Sequence, residues 1–427
     1  MRAPAVIAVV CATAVCGCLW TTTTHADDAD VVRVQRILKR VPLVDGHNDL
    51  PWRLREKVQG QLARLDIAAD TSAETLHTDL QRLRRGGVGA QVWSVYVPAE
   101  LPAADAVLAV IEQIDLVHRM VQRYPETLAL VRSAGEIEQQ HRQGRIACLV
   151  GVEGGHAIGN SLAVLRQLYA LGVRAMTLTH SLDTGWADAC SDEPRHAGLN
   201  AFGVEVVHEM NRVGILVDLA HVSHATMHDA LDASLAPVIF SHSSAYALVP
   251  HLRNVPDDVL QRLPANGGIV MVTFVPPFVS QEVMAHDAEE KAEAARLEVH
   301  FPGQKAMVRE HLEAWRAEHP RPRATVQQVA DHIAHVVRVA GIDHVGLGSD
   351  FDGMKEGPRG LESVADYPNL LVELLHRGYS DADVQRIAGR NFLRVWRAAE
   401  QVAARLRTER GAAETLFETT PPATTSR

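Results

Sequence analysis

Cysteine is scarce in this chain: 427 residues carry five. Three of them, Cys11, Cys16 and Cys18, crowd into the N-terminal leader, leaving only Cys148 and Cys190 beyond it. Two thiols far apart in sequence neither frame a disulfide-built fold nor form a thiolate cluster for zinc. Cys148 lies in the apolar run 146–150 and reads as a small buried hydrophobe. Positive charge is also short, with 42 Lys and Arg against 52 Asp and Glu and a formal charge of −10. Nucleic-acid partners usually require a basic footprint, so that class is set aside. The apolar stretch at residues 3–17 falls short of the roughly 20 residues that a membrane-spanning helix needs.

That stretch instead has the layout of an export signal. Arg2 supplies the positive end, and Thr24-His25-Ala26 offers a small-x-Ala cleavage site before Asp27. Residues 1–26 are therefore read as a signal peptide, and the expected location is periplasmic or extracellular. The alternative is lipoprotein processing at Cys18, which would make a lipid the chain's one membrane attachment. A retained anchor is the third reading. Residues 411–427, rich in Thr, Ala and Pro, are expected to be a disordered tail. One domain is expected between the two ends, over 27–410.

With 47% hydrophobic residues the chain can bury a large core. Short apolar runs recur at 43–45, 88–96, 146–152, 175–179, 214–219, 238–241, 268–274 and 344–349. Most are continuous rather than alternating, as strands covered on both faces are. Helical patterns separate them at 73–85, 104–124, 161–171, 202–213, 223–231 and 256–263. Ser223 is placed as an N-cap, and Pro256 as the first helical residue. Eight strands alternating with helices predict a closed (β/α)8 TIM-type barrel. Periodicity alone leaves an open doubly wound sheet as the alternative. The charged, helical segment 281–327 reads as a surface insertion between strands seven and eight. After it, 326–340 packs on the barrel, and 368–377 and 381–399 close the fold.

The polar residues favour the barrel. The first run leads into Asp45-Gly46-His47-Asn48-Asp49 and the third into Glu153-Gly154-Gly155-His156. The fourth, fifth and sixth are followed by His180, His221 and His242, and the eighth by Asp350-Phe351-Asp352-Gly353. In a barrel these strand ends meet at one rim, where active sites form. Imidazoles and carboxylates suit zinc. His47 and Asp49 flank Asn48, so on extended backbone both would point the same way. Glu153, between the two groups in barrel order, has two oxygens with which to bridge two ions. A cation pair roughly 3.5–4 Å apart both activates water and clamps a carbonyl. Singly, each residue has an ordinary reading: a structural His-x-Asp, backbone-satisfied imidazoles at His221 and His242, a helix-capping Glu153, a loop-capping His180. Six such groups at strand ends outweigh those readings. His156, His196 and His224 fall out of register and are left as loop or helix residues.

At these residues the chain resembles the membrane (renal) dipeptidase family of zinc peptidases. The matching stretches are Val44-Asp45-Gly46-His47-Asn48-Asp49-Leu50-Pro51, Val152-Glu153-Gly154-Gly155 and Met176-Thr177-Leu178-Thr179-His180. They continue with Val217-Asp218-Leu219-Ala220-His221-Val222-Ser223, Ser241-His242-Ser243, Arg253-Asn254-Val255-Pro256-Asp257-Asp258 and Gly346-Leu347-Gly348-Ser349-Asp350-Phe351-Asp352-Gly353. The resemblance implies two Zn2+ per chain, bridged by Glu153 and a water or hydroxide. His47 and Asp49 would hold one ion, His221 and His242 the other. It also implies that His180 contacts the substrate carbonyl oxygen or its oxyanion, that Arg253 binds the free carboxylate, and that Asp350 moves the proton. The implied reaction is hydrolysis of dipeptides, L,D-dipeptides included, and homodimerisation is a further expectation. A sibling reading keeps the metals but opens another amide, such as a β-lactam or a modified peptide. A catalytically inactive metal-binding protein is the remaining alternative. The chain departs from the family where a tyrosine often assists carboxylate binding, since Phe278 has no hydroxyl, and in lacking the animal enzymes' disulfides and lipid-anchoring tail signal.

Overall fold

The structure, a computed structural model, describes residues 28–418. The leader readings at Arg2, Cys18 and Ala26 lie outside the described residues, as does the end of the tail. Nine strands run in parallel: β1 (Leu43–Asn48), β2 (Val88–Tyr96), β3 (Leu128–Leu130), β4 (Ile146–Glu153), β5 (Val173–Thr177), β6 (Leu216–Asp218), β7 (Ile239–Ser243), β8 (Ile269–Val272) and β9 (Val345–Leu347). β2 pairs with β4 from Ala90 opposite Ala147 to Tyr96 opposite Glu153, and this pairing closes the ring. The fold is a closed eight-stranded parallel barrel surrounded by helices, and the open-sheet alternative falls. β3 is the extra strand, absent from the sequence reading. It pairs with residues 146–148 of β4, short of the level at which β5 joins that strand at Val150.

Strand alternation sorts the core into two layers. Val44, Ala90, Val92, Ala147, Leu149, Ala175, Ile239, Ile269 and Met271 cluster inside the barrel, together with Phe392 and Trp396 of the last helix. Their neighbours Trp93, Val95, Cys148, Val150 and Val152 face the helical shell. Gly46 and Gly348 pass so close to β7 that any side chain there would strike the Ser241 carbonyl. Between barrel and shell, the Asp45 carboxylate accepts from the Ser349 N–H (2.7 Å), the Ser349 hydroxyl (2.8 Å) and Gln91 Nε2 (2.9 Å). One buried carboxylate thus ties β1 to β2 and to the end of β9.

Several boundaries differ from the sequence expectation. The helix expected over 73–85 is confined to Leu80–Arg85, because Asp79 caps it through the Arg82 N–H (2.8 Å). Pro256 is the N-cap residue rather than the first helical one, and the helix begins at Asp257. Helices Gln281–His300 and Lys305–Glu318 form a hairpin between β8 and β9, and the second of them carries no buried residue. Arg321 ties the hairpin down, pairing with Asp287 at 2.6 Å and with Glu356 at 2.7 Å. Residues 411–418, expected in the disordered tail, have no helix or strand but touch the body. Arg166 donates to the Ala413 carbonyl (3.0 Å), and Phe417 meets Phe202 edge-on at 5.3 Å. Among the described residues Cys148 and Cys190 are free thiols, and no helix is long and apolar enough to cross a membrane.

His332, on the helix Val326–Ala340, is 1% exposed, and its Nδ1 accepts from the Ala245 N–H at 3.0 Å. Burial takes its pKa down to about 4, so the folded chain keeps this ring neutral. Above pH ~6.5 neither state binds the proton. Between there and 4 only the unfolded chain does, so stability falls as pH falls through that window. The loss from this ring is expected to reach roughly 3 kcal/mol, as 1.36 kcal/mol per unit implies. Urea melts of the wild type and His332→Gln across pH 7 to 4 check this. The variant should show a shallower acid slope, and equal slopes would refute the assignment.

Candidate active site

The C-terminal ends of the strands gather the residues that sequence reasoning selected. His47 lies on β1, Glu153 ends β4 and His242 lies on β7, while His180, His221 and Asp350 follow β5, β6 and β9. Glu153 is 5% exposed and central. Its Oε1 lies 3.0 Å from His221 Nε2, 3.5 Å from both His47 Nε2 and His242 Nε2, and 3.8 Å from His180 Nε2. The other oxygen, Oε2, accepts from the Ser94 hydroxyl at 3.0 Å. His221 and His242 bring their Nε2 atoms to 2.9 Å of one another. Asp49 Oδ2 is 3.4 Å from His47 Nε2. The route Asp49 takes differs from the expected extended alternation. β1 stops at Asn48, and Asp49 is the N-cap of helix Leu50–Val58, at φ −95° and ψ 17°. Asn48 turns away, giving its amide to Thr78 and accepting from the Leu50 N–H, both at 2.9 Å.

Three non-glycine residues here adopt left-handed backbone: His221 (φ 71°), Asp350 (φ 67°) and Asp352 (φ 66°). Such a conformation costs an L-residue about 1–2 kcal/mol, so the surroundings must hold it. The His221 carbonyl accepts from the Cys190 N–H (2.8 Å) and the Thr179 hydroxyl (3.1 Å). Asp350 N–H donates to the His47 carbonyl (3.2 Å), and Asp352 exchanges hydrogen bonds of 2.8 and 3.0 Å with His77. These bonds aim side chains into the rim rather than along the strands.

The electrostatics follow from burial and crowding. Burial alone would raise the Glu153 pKa, but His47, His221 and His180 more than offset it and hold the carboxyl well below its usual range. His221 and His242 are pushed well below the ordinary imidazole value, by burial first and then by nearby cations including Arg253. They therefore present neutral nitrogens, the state that ligates metal. Burial likewise lowers His180. Asp350 is driven well above the carboxylate range by burial, with Asp49 and Glu153 adding to the shift against the pull of His47.

These residues fit a metal centre. His47 Nε2 and Asp49 Oδ1 are buried without a hydrogen-bond partner. Ligand atoms converge within 4.8 Å in three overlapping groups: His47, Glu153 and His242; Glu153, His180 and His221; His47, Asp49 and Asp350. A buried set of imidazole and carboxylate donors suits zinc. His156, His196 and His224 stay outside these groups, as expected; His156 and His196 instead bond the Val97 and Thr184 carbonyls, each at 3.1 Å.

Beside the cluster lies a cavity of about 450 Å³, lined by His180, Arg253, Asp350, Trp52, Tyr96 and Phe278 among others. Arg253, 7% exposed, donates to the His242 carbonyl (3.1 Å) and the Ser243 hydroxyl (3.3 Å), and its guanidinium carbon lies 5.5 Å from the Phe278 ring centre. Sequence reasoning missed Tyr96 and Trp52, which meet edge-on at 4.8 Å. Tyr96 gave a usable signal, because it ends a strand just as the selected residues do. Trp52 sits one turn into a helix and gave none.

A closed (β/α)8 barrel with buried imidazoles and carboxylates converging at its C-terminal rim defines a metal-dependent hydrolase. The family model for membrane dipeptidase (peptidase family M19) matches residues 31–410, and the chain belongs to that family. Among solved structures, the probable dipeptidase PvdM from Pseudomonas aeruginosa is similar at 23% identity and TM-score 0.77, covering 88% of this chain and 100% of that one. Dipeptidase AC, a family M19 metallopeptidase, is 25% identical with TM-score 0.69, covering 84% of this chain and 98% of its own. A metallopeptidase from Rhodobacter sphaeroides, solved with a phosphinate mimic of the dipeptide L-Ala-D-Ala, is 23% identical with TM-score 0.69 over 84% and 99%. This protein is a metallo-dipeptidase, and its family implies zinc.

Proposed function

We propose that the centre holds two zinc ions, one on His47 and Asp49 and one on His221 and His242, with Glu153 between them. The observation that carries this reading is the convergence of four imidazoles on one buried carboxylate oxygen. Bound zinc would supply a hydroxide nucleophile at neutral pH and polarise the scissile carbonyl.

The chain's own residues supply the rest. Arg253 presents a planar, fork-shaped donor set to the substrate's free carboxylate and limits the substrate to a single residue beyond the cleaved bond. His180 Nδ1 lies 3.2 Å from the Ser181 hydroxyl. With that hydroxyl donating, Nε2 keeps its proton and gives a hydrogen bond to the developing oxyanion. Asp350, at the rim beside His47 and Asp49, takes the proton of the attacking water and delivers it to the leaving amine. Acceptance of a D-residue at the C-terminal position is part of the proposal, supported by the L-Ala-D-Ala mimic bound to the Rhodobacter sphaeroides relative. The export reading at Ala26, lipidation at Cys18 and pairing as a homodimer also stand as proposals.

Steady-state assays on L,L- and L,D-dipeptides beside a β-lactam, with zinc quantification, test this reading. Turnover of dipeptides with about two zinc ions per chain is expected. Inactivity on every dipeptide overturns the reaction, and clearly fewer ions overturn the binuclear centre. Arg253→Lys is expected to raise KM by about 10- to 100-fold with a smaller change in kcat, because it removes the fork but keeps the charge. An unchanged KM would remove Arg253 from carboxylate recognition.

A further inference from the structure

The active-site cavity shares part of its wall with a second cleft. Val275 and Met354 line both, and the cleft, of about 640 Å³, lies under the helical hairpin. Ala294 of helix Gln281–His300 and Leu312 of helix Lys305–Glu318 form one side, and Pro276 and Pro277 form part of the floor. Because Lys305–Glu318 buries none of its residues, the apolar side chain of Leu312 serves no core. The rim is charged but unevenly paired. Arg316 is held by Glu290, and Arg321 by Asp287 and Glu356. The ammonium groups of Lys291 and Lys355 have no acidic partner among the described residues.

We propose that this cleft receives the side chain of the substrate's C-terminal residue, and that the enzyme prefers dipeptides in which that side chain is a long apolar stem ending in an anion. The inference rests on the dipeptidase reading of the adjoining site. In that reading Arg253, after β7, holds the carboxylate of the leaving residue, and Asp350, after β9, meets its nitrogen. Two ends so fixed place the α-carbon over the loop that follows β8, where Val275 lines both the cavity and the cleft. The carboxylate and the nitrogen of that residue are then engaged, so its side chain is the part left free to extend. Apolar lining suits a hydrocarbon stem, and two unpaired lysines suit a negative end.

The test compares L-alanyl dipeptides ending in alanine, norleucine or 2-aminosuberate, the C-terminal residue supplied in both configurations. The aminosuberate substrate is expected to exceed the other two in kcat/KM by about tenfold or more in at least one configuration, the size of one well-formed contact. Ala294→Trp, which fills the cleft, should abolish that advantage and leave alanyl-alanine turnover as it was. Lys291→Glu with Lys355→Glu should lower aminosuberate turnover selectively and spare norleucine. An aminosuberate substrate no better than alanyl-alanine overturns the inference, and so does an Ala294→Trp variant that slows all three substrates alike. A wild type that cleaves alanyl-alanine but shows no length preference sinks this inference alone, whereas one that cleaves no dipeptide sinks the dipeptidase reading beneath it.

Discussion

Asp350→Asn is expected to keep its zinc and lose its turnover, with kcat lower by about 10²- to 10⁴-fold, the usual contribution of a positioned proton donor. The carboxyl lies in a crowd of like charge. Burial raises its pKa, and the carboxylates of Asp49 and Glu153 raise it further. A carboxyl held within reach of both the attacking water and the departing nitrogen can carry a proton from one to the other. An amide in its place keeps the volume but neither takes up nor releases a proton in the useful range. The turn itself should survive, because the Asp350 N–H bond to the His47 carbonyl and the Asp45–Ser349 bonds use groups that the substitution leaves in place. Metal content, circular dichroism and kcat, measured side by side, separate the outcomes. Retained kcat removes Asp350 from proton transfer, and lost zinc makes it a ligand instead.

Glu153→Gln should have the larger effect, because one atom of Glu153 faces four imidazoles. Loss of residues that merely orient metal ligands costs about 10- to 100-fold in affinity, so loss of a bridging charge should exceed that. The expected protein is folded, depleted of zinc and inactive at every substrate concentration. Its melting temperature should match that of chelator-treated wild type, since bound metal stabilises the folded state through its own affinity. Binding zinc to wild-type capacity in this variant would show that the ions sit elsewhere on the rim.

Much of this arrangement was legible in the sequence, for a definite reason. Strands covered on both faces appear as apolar runs, and the barrel places the first polar residue after each run at the same rim. His47, Glu153, His221 and His242 could therefore be grouped without coordinates, and the structure brings them together. What stayed hidden depends on information that the runs do not carry. Three residues of β3 are too few to display a period. The helix-cap geometry of Asp49 is a tertiary choice, so its carboxylate reaches the cluster by a backbone route other than the expected extended one. Helix 73–85 was shortened by the side chain of Asp79, which no hydrophobic pattern encodes. The composition of residues 411–418 carries no sign of the contact between Phe417 and Phe202.

The bond between Asp45 and Ser349 joins residues 304 positions apart. β1 is synthesised well before its neighbour β9. Contacts of such high order form late, after the loop-closure entropy of the whole chain has been overcome. A nascent chain truncated before Ser349 therefore has His47 and Glu153 but no latch to seat them. The seat of the rim is thereby completed only once Ser349 has docked on Asp45.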